Sequence, residues 1–312
     1  MARRGHLSRF RLPRAVRPAT RLSNAPEQRF TTPGAPRLSI YGLPLQLIAE
    51  LLLLGCFTGF LAGLFGVGGG MMLVPFMTAV LSRLGLGADI SVKMAIATSM
   101  ASILFTSLSS VRAHHKRGAV RWDLVRNLAP GIVIGGLLAG AGAFSLIKGA
   151  WLALFFALFV GFSATNILRG RKPPVGKALP SPVKQGMAGT GIGFVSGLVG
   201  AGGGFISVPY MTMHNVSMHA AVATSAALGF PIAMANVAGY VIGGWSLPPV
   251  LPGAFGYLFL PALAIVALAS VTLAPLGARA AHAMNVAQLR RAFAGLLYAL
   301  AAYMLYKGIT AL

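Results

Sequence analysis

The chain is a succession of long apolar runs separated by short polar gaps. Apolar segments with definable ends fall at about 44–66, 70–82, 92–111, 124–146, 149–168, 184–200, 204–213, 217–243, 250–274 and 287–309. About 20 apolar residues suffice for a helix to cross a bilayer, and the runs within 44–66, 94–111 and 250–274 are long enough. Two segments, 70–82 and 204–213, are too short to span comfortably, and each directly follows a glycine cluster. Between the fifth and sixth segments, "RGRKPPVGKALPSPVKQ" is basic, proline-rich and without hydrophobic period, so it reads as a linker. The pattern predicts an all-α integral membrane protein with about eight transmembrane helices and two re-entrant, glycine-broken half-helices.

The pattern also repeats. "GFLAGLFGVGGGMMLVPFMT" (59–78) returns as "GFVSGLVGAGGGFISVPYMT" (193–212), identical at twelve of twenty positions across an offset of 134. "MAIATSM" (94–100) corresponds to "AAVATSA" (220–226) at an offset of 126. Two motifs in the same order at nearly constant spacing indicate an internal duplication. The chain divides into a tail (1–43), a first transmembrane repeat (44–168), a linker (169–183) and a second repeat (184–312).

Charge gives an expectation for topology. With four full crossings per half and the N-terminus inside, 20 of the 26 Lys and Arg face inward: nine in the tail, five within 112–126, five in the linker stretch, and Lys307. Six remain outside: Arg83, Lys93, Lys148, Arg279, Arg290 and Arg291. If all ten segments cross, the division is 13 against 13. The positive-inside rule therefore favours four crossings per half, parallel halves and a cytoplasmic N-terminus.

Composition fixes the solvent. Hydrophobic residues make up 56 % of the chain and charged residues 10 %, against about 25 % charged in soluble domains. A soluble chain of this kind would expose apolar patches and aggregate, so the lipid bilayer is the expected surrounding. The net charge of +22 does not indicate nucleic acid, because the basic residues lie in the tail and between apolar runs. The tail, with nine Arg, one Glu and five Pro in 37 residues, is expected to be unfolded. It resembles a transit peptide, but the plainer reading, a cytoplasmic tail or an overextended start, is preferred. The one cysteine, Cys56, excludes an intramolecular disulfide and a cysteine-based metal site. His114 and His115 are adjacent with no other ligand nearby, so no metal is expected. Nothing matches a G-x-x-x-x-G-K-[ST] phosphate loop, and no cofactor is called for. The four acids, Glu27, Glu50, Asp89 and Asp123, are scattered. An enzyme, which would need a paired acid and base or a metal within the membrane, is not expected.

The candidate chemistry lies in the glycine clusters. Gly59-x-x-x-Gly63, Gly66-x-x-x-Gly70, Gly193-x-x-x-Gly197 and Gly200-x-x-x-Gly204 fit close helix packing between small residues. The triplets at 68–70 and 202–204 exceed that need and favour a broken backbone. Pro75 and Pro209 further limit a regular helix. Irregular backbone at membrane depth must be buried in protein or line a cavity, and a half-helix starting there directs free N–H groups and a positive dipole end at that cavity. The substrate-binding candidates are therefore Gly66, Gly68, Gly69, Gly70 and Pro75, with Gly200, Gly202, Gly203, Gly204 and Pro209, for a small anion. Thr98, Ser99, Thr224 and Ser225 of the "ATS" elements can add hydroxyls, or can bond to carbonyls of their own helices. Lys93 could attract an anion or snorkel at a helix end. Asn236 could bind or pack, and Glu50 raises the question of proton coupling.

On "GLFGVGGGMMLVP" (63–75) and "GLVGAGGGFISVP" (197–209), each followed by its "ATS", the chain resembles the TauE/SafE family of sulfite exporters, also known as a permease family of unknown function. "GYLFLPAL" (256–263) and "PLGARAAH" (275–282) resemble the family's second half, so the likeness covers about 45–309. The resemblance implies a multi-pass inner-membrane permease of two related halves, moving sulfite, sulfonates or related organosulfur anions. Where the family often carries glycine before the first "TS", this chain has Ala97, and Ala223 in the second copy. The expected function is a secondary transporter and exporter of such anions, with a passive anion channel or a non-transporting scaffold as alternatives.

Overall fold

The computed structural model describes residues 39–40, 43–65, 69–116, 118–169, 178–283 and 286–312. The arginine-rich tail, Gly66, Gly68 and most of the linker lie outside the described residues. Among the described residues the protein is all-α apart from two antiparallel pairs of two-residue strands, β1 (Ser39–Ile40) with β2 (Leu43–Pro44) and β3 (Ala254–Phe255) with β4 (Leu258–Phe259).

The first group of helices is α1 (Leu45–Phe65), α2 (Gly70–Arg83), α3 (Ala88–Lys116), α4 (Trp122–Leu137) and α6 (Gly149–Arg169). A π-helical stretch, Leu138–Ala143, continues α4 into the short α5 (Phe144–Leu146). The second group is α7 (Pro182–Val199), α8 (Gly204–Met213), α9 (Met218–Gly244), α10 (Leu260–Ala283) and α11 (Val286–Thr310). The apolar segment expected over 250–274 enters helix only at Leu260. Pro248, Pro249 and Pro252 precede it, and proline removes the N–H groups a helix there would need.

Among the described residues, five stretches are long and apolar enough to cross a membrane: Ala88–Lys116, Trp122–Leu146, Gly149–Arg169, His219–Gly244 and Arg291–Thr310. Shorter apolar stretches are Leu45–Leu61, Gly70–Arg83 and Leu260–Leu273. Their outer faces suit lipid. On α6, Trp151, Phe155, Leu158 and Phe162 recur at helical spacing and are all exposed. Such an apolar stripe is a liability in water and the normal surface of a helix in lipid.

α3 and α9 pack on each other, α6 on α11, α1 on α10, and α4 on α7. Glycine sets the separation of the last two pairs. On α1, a Cβ at Gly55 would lie 2.7 Å from Ala269 Cβ, and one at Gly59 would overlap the backbone of Ser270. On α4, Cβ atoms at Gly131 and Gly135 would overlap the carbonyls of Gly186 and Thr190 of α7. Facing them, a Cβ at Gly193 would overlap the Ile132 carbonyl. Gly59 and Gly193 are thus absorbed by close helix packing, one of the two readings their spacing allows.

Polar contacts tie helix ends together and define the two ends of the bundle. Arg83 Nη2 donates to Glu50 Oε2 at 2.9 Å, so the end of α2 lies beside the beginning of α1. α1 and α2 therefore form a helical hairpin, with α2 setting out from Gly69 and Gly70. At the same end, Asp89 accepts the Gly149 N–H, bringing the starts of α3 and α6 together. At the opposite end, Asn127 Nδ2 donates to Gln185 Oε1 at 3.2 Å, joining the starts of α4 and α7.

Candidate functional site

Both glycine tips are built alike. α2 starts at Gly70 with Gly69 before it in the left-handed region (φ 67°), and α8 starts at Gly204 with Gly203 at φ 77°. A side chain there is strained, which is why the position calls for glycine. The Gly69 carbonyl accepts the N–H groups of Met72 and Leu73, both at 3.1 Å. The Gly203 carbonyl accepts those of Ile206 (3.0 Å) and Ser207 (2.8 Å). The first N–H groups of each helix have no intrahelical acceptor. Gly200, also left-handed (φ 73°), closes α7.

The tips touch. A Cβ on Gly70 would lie 3.1 Å from the Gly200 carbonyl oxygen, and one on Gly200 would lie 2.9 Å from Val74 Cγ2. Ser99 Oγ of α3 donates to the Gly70 carbonyl at 2.6 Å. At 1.5 Å per residue, that places the first tip about 17 Å from one end of α3 and about 26 Å from the other. The two breaks thus meet in the interior of the bundle.

Pro75 and Pro209 do not end their helices; α2 and α8 run through them. Six residues into a helix, proline costs one internal hydrogen bond. The local limit on regular helix comes from the left-handed glycines.

The hydroxyls of the two "ATS" elements separate into two roles. Ser99 and Ser225 face the tips: Ser207 Oγ donates to Ser225 Oγ at 2.8 Å, and a Cβ on Gly204 would lie 3.4 Å from Ser225 Oγ. Thr98 and Thr224 instead accept backbone N–H groups from the other half, Thr98 from Phe259 (3.1 Å) and Thr224 from Arg121 (3.0 Å). Ala97 and Ala223, preceding them, are fully buried.

Ser196 was missed by sequence reasoning. It is 1 % exposed, its Oγ has no hydrogen-bond partner, and a Cβ on Gly203 would lie 3.4 Å from it. In the sequence it reads only as one more small residue of a packing seam. A signal was present all the same, since Ser196 stands opposite Ala62 in the repeat.

Glu50, Lys93 and Asn236 make contacts away from the glycine tips, though the buried Asn236 Oδ1 has no hydrogen-bond partner. Glu50 pairs with Arg83. The buried Lys93 lies 3.3 Å from Asp89 Oδ2, donates to the Ser145 carbonyl at 3.3 Å, and stands 5.8 Å from the centre of the Tyr257 ring. It lines a cavity of about 410 Å³ together with Asp89, Ser145 and Lys148, at the end of the bundle where α3 begins. Asn236 donates to the carbonyls of Gly193 and Ile232, tying α9 to α7.

Residues 51–304 match the family described as Sulfite exporter TauE/SafE. The chain belongs to the TauE/SafE family. A relative in Haemophilus influenzae, named "Probable membrane transporter protein", is 31 % identical over 256 residues, which is 82 % of this chain and 97 % of the relative. A protein of the same description in Methanocaldococcus jannaschii is 25 % identical over 272 residues, covering 84 % of this chain and 96 % of that one. In Bacillus subtilis, another is 29 % identical over 220 residues, 62 % of this chain and 78 % of its own length. No solved structure matches. Family and relatives together identify a multi-pass membrane transporter.

Proposed function

We propose that the protein is a secondary transporter that exports small sulfur-containing anions, sulfite, sulfonates or related organosulfur compounds, across a cell inner membrane. The observation that carries this reading is the contact between two left-handed glycine tips in the interior of the bundle. Each begins a helix whose first N–H groups and positive dipole end can receive an anion. In this reading Gly69, Gly70 and Ser99 line the site from one side. Gly200, Gly202, Gly203, Gly204 and Ser225 line it from the other. Pro75 and Pro209 stiffen the two half-helices, and Thr98 and Thr224 anchor the helices that carry the serines.

We read the architecture as two related halves, 44–168 and 184–312, joined by the linker 169–183. Reciprocal contacts support this. Under the repeat α1 corresponds to α7 and α4 to α10, so the pairs α1–α10 and α4–α7 exchange, while α3–α9 and α6–α11 map onto themselves. Each half then has three crossing helices and one in-and-out hairpin, in place of four crossings and a separate half-helix. An odd number of crossings makes the halves inverted rather than parallel, an arrangement known for secondary transporters with binding sites near the bilayer midplane.

The test is counterflow in proteoliposomes loaded with unlabelled sulfite, sulfate, thiosulfate, taurine or sulfoacetate, following uptake of the radiolabelled compound. Saturable uptake of sulfite or a sulfonate well above that of empty liposomes is expected. Uptake no faster than empty liposomes for all five would overturn the proposal, and uptake linear in concentration without saturation would indicate a passive channel.

A further inference from the structure

The duplicated tips have diverged in chemistry. Ser196 and Ser207 in the second half stand where the first half has Ala62 and Leu73, at the 134-residue offset. Gly229 stands where the first half has Ile103, at the 126-residue offset. The consequences are physical. At the first tip, a Cβ on Gly70 would meet Ile103 Cδ1 at 2.5 Å, and Ser99 spends its proton on the Gly70 carbonyl. Gly70 is buried against that hydrocarbon side chain, while Gly69 before it is half-buried. At the second tip, Gly203 is buried and a Cβ on it would meet Ile232 Cδ1 at 2.3 Å, but Gly202 and Gly204 are half-buried, and a Cβ on Gly204 would meet nothing nearer than Ser225 Oγ at 3.4 Å. Ser207 donates to Ser225, which leaves the Ser225 proton free to donate elsewhere. Ser196 Oγ, buried and unpartnered beside Gly203, has its proton unassigned.

We propose that the anion binds at the second tip, on the free N–H groups at the start of α8, with Ser196 and Ser225 as its hydroxyl donors. Ser207 is a positioning residue that sets the Ser225 proton. The first tip forms the wall of the site, with Ile103 closing the space between them. This rests on the anion-transport reading and narrows it. The donors named are backbone N–H groups and neutral hydroxyls. The cost of taking an anion out of water rises steeply with its charge, and no cation is among these donors to offset it. The site therefore selects a monoanionic sulfonate or bisulfite over the sulfate dianion.

The experiment uses the full chain in detergent and follows thermal unfolding against methanesulfonate, sulfite and sulfate. For the unaltered protein, methanesulfonate and sulfite at a hundred times their dissociation constants are expected to raise Tm by about 5 °C or more, and sulfate at the same concentration far less. Ser196→Ala removes a buried hydroxyl without a partner, so its ligand-free Tm is expected to be unchanged or higher, while its affinity falls at least about tenfold. Gly204→Ala places a methyl in the open space at ordinary contact distance, so it is expected to fold and lose the ligand shift. If Ser196→Ala instead unfolds earlier and binds with unchanged affinity, the hydroxyl is structural and the second-tip assignment falls, leaving the anion reading intact. Should the ligand shift also survive in Gly204→Ala, the assignment falls in the same way. A sulfate shift as large as that of methanesulfonate overturns the monoanion selectivity. Absence of any shift in the unaltered protein overturns the anion reading together with this refinement.

Discussion

Thr98 and Thr224 accept hydrogen bonds from backbone N–H groups more than a hundred residues away in sequence, each in the opposite half. Phe259 and Arg121, the donors, sit immediately before α10 and α4, where helix N–H groups lack intrahelical acceptors. Each threonine thereby holds the start of a helix from the other repeat, and both are fully buried. Replacing either by valine keeps the shape and leaves a buried N–H without its acceptor, which costs about 1–3 kcal/mol. Thr224→Val and Thr98→Val are each expected to lower Tm by several degrees, with Thr224→Ser restoring most of the loss. Thermal unfolding of the purified variants checks this, and valine variants as stable as the parent would show the two contacts to be dispensable. Nothing in the sequence marks these partners. "ATS" advertises a hydroxyl in an apolar run, and whether it meets its own helix, a ligand or a distant N–H is decided only when the halves come together.

At the scale of elements, the glycines divide by what stands opposite them. Along α4, Gly131 and Gly135 face backbone of α7 so closely that a Cβ has no room, whereas Gly161 of α6 has nothing within 4 Å of its added Cβ. Backbone cannot move aside as the end of a flexible side chain can, so overpacking there costs at least about 1–3 kcal/mol. Gly135→Ala is expected to reduce the yield of folded protein sharply. Gly161→Ala is expected to be neutral or to stabilise α6 by up to about 1 kcal/mol, through helix propensity alone. Size-exclusion profiles and Tm of the two variants side by side decide it; equal behaviour would mean that the α4–α7 seam is not under steric constraint. The segment ends, the left-handed breaks and the close-packing glycines were legible because each leaves a local mark: a polar gap, a triplet, a small-xxx-small spacing. The start of α10 was not, because hydrophobicity runs on through Val250 and Leu251 while the prolines hold the backbone out of helix. For Ser196 only the departure from Ala62 in the repeat was legible, since a missing hydrogen-bond partner is a property of three-dimensional surroundings.

For the molecule as a whole, the decisive contact is the ion pair between Glu50 and Arg83, 33 residues apart. It brings the chain back, after α1 and α2, to the end of the bundle from which it set out. Run length alone had suggested that the 21 residues of α1 cross and that α2 dips in and returns. The count of basic residues agrees with that reading, with 20 inside and six outside. In the inverted arrangement the same residues divide 13 and 13: the tail, Arg83, Lys93, Lys148 and Lys307 at one end, and the others at the opposite end. Charge then carries no preference for either orientation, and labelling has to supply it. In a Cys56→Ala background, Gly87→Cys reports the turn between α2 and α3, and Ser217→Cys the turn between α8 and α9. Gly87 has open space around it and Ser217 is exposed, so both sites accept a thiol reagent. Parallel halves would put the two turns on the same side of the membrane, because they are equivalent positions of the repeat. Inverted halves put them on opposite sides, with Leu312→Cys on the side of Gly87. A membrane-impermeant maleimide applied to sealed, oriented vesicles is expected to label Gly87→Cys and Leu312→Cys together and Ser217→Cys only after permeabilisation, or the reverse. Labelling of both turns from one side would refute the inverted arrangement, and with it the opposed approach of the two glycine tips on which the proposed anion path depends.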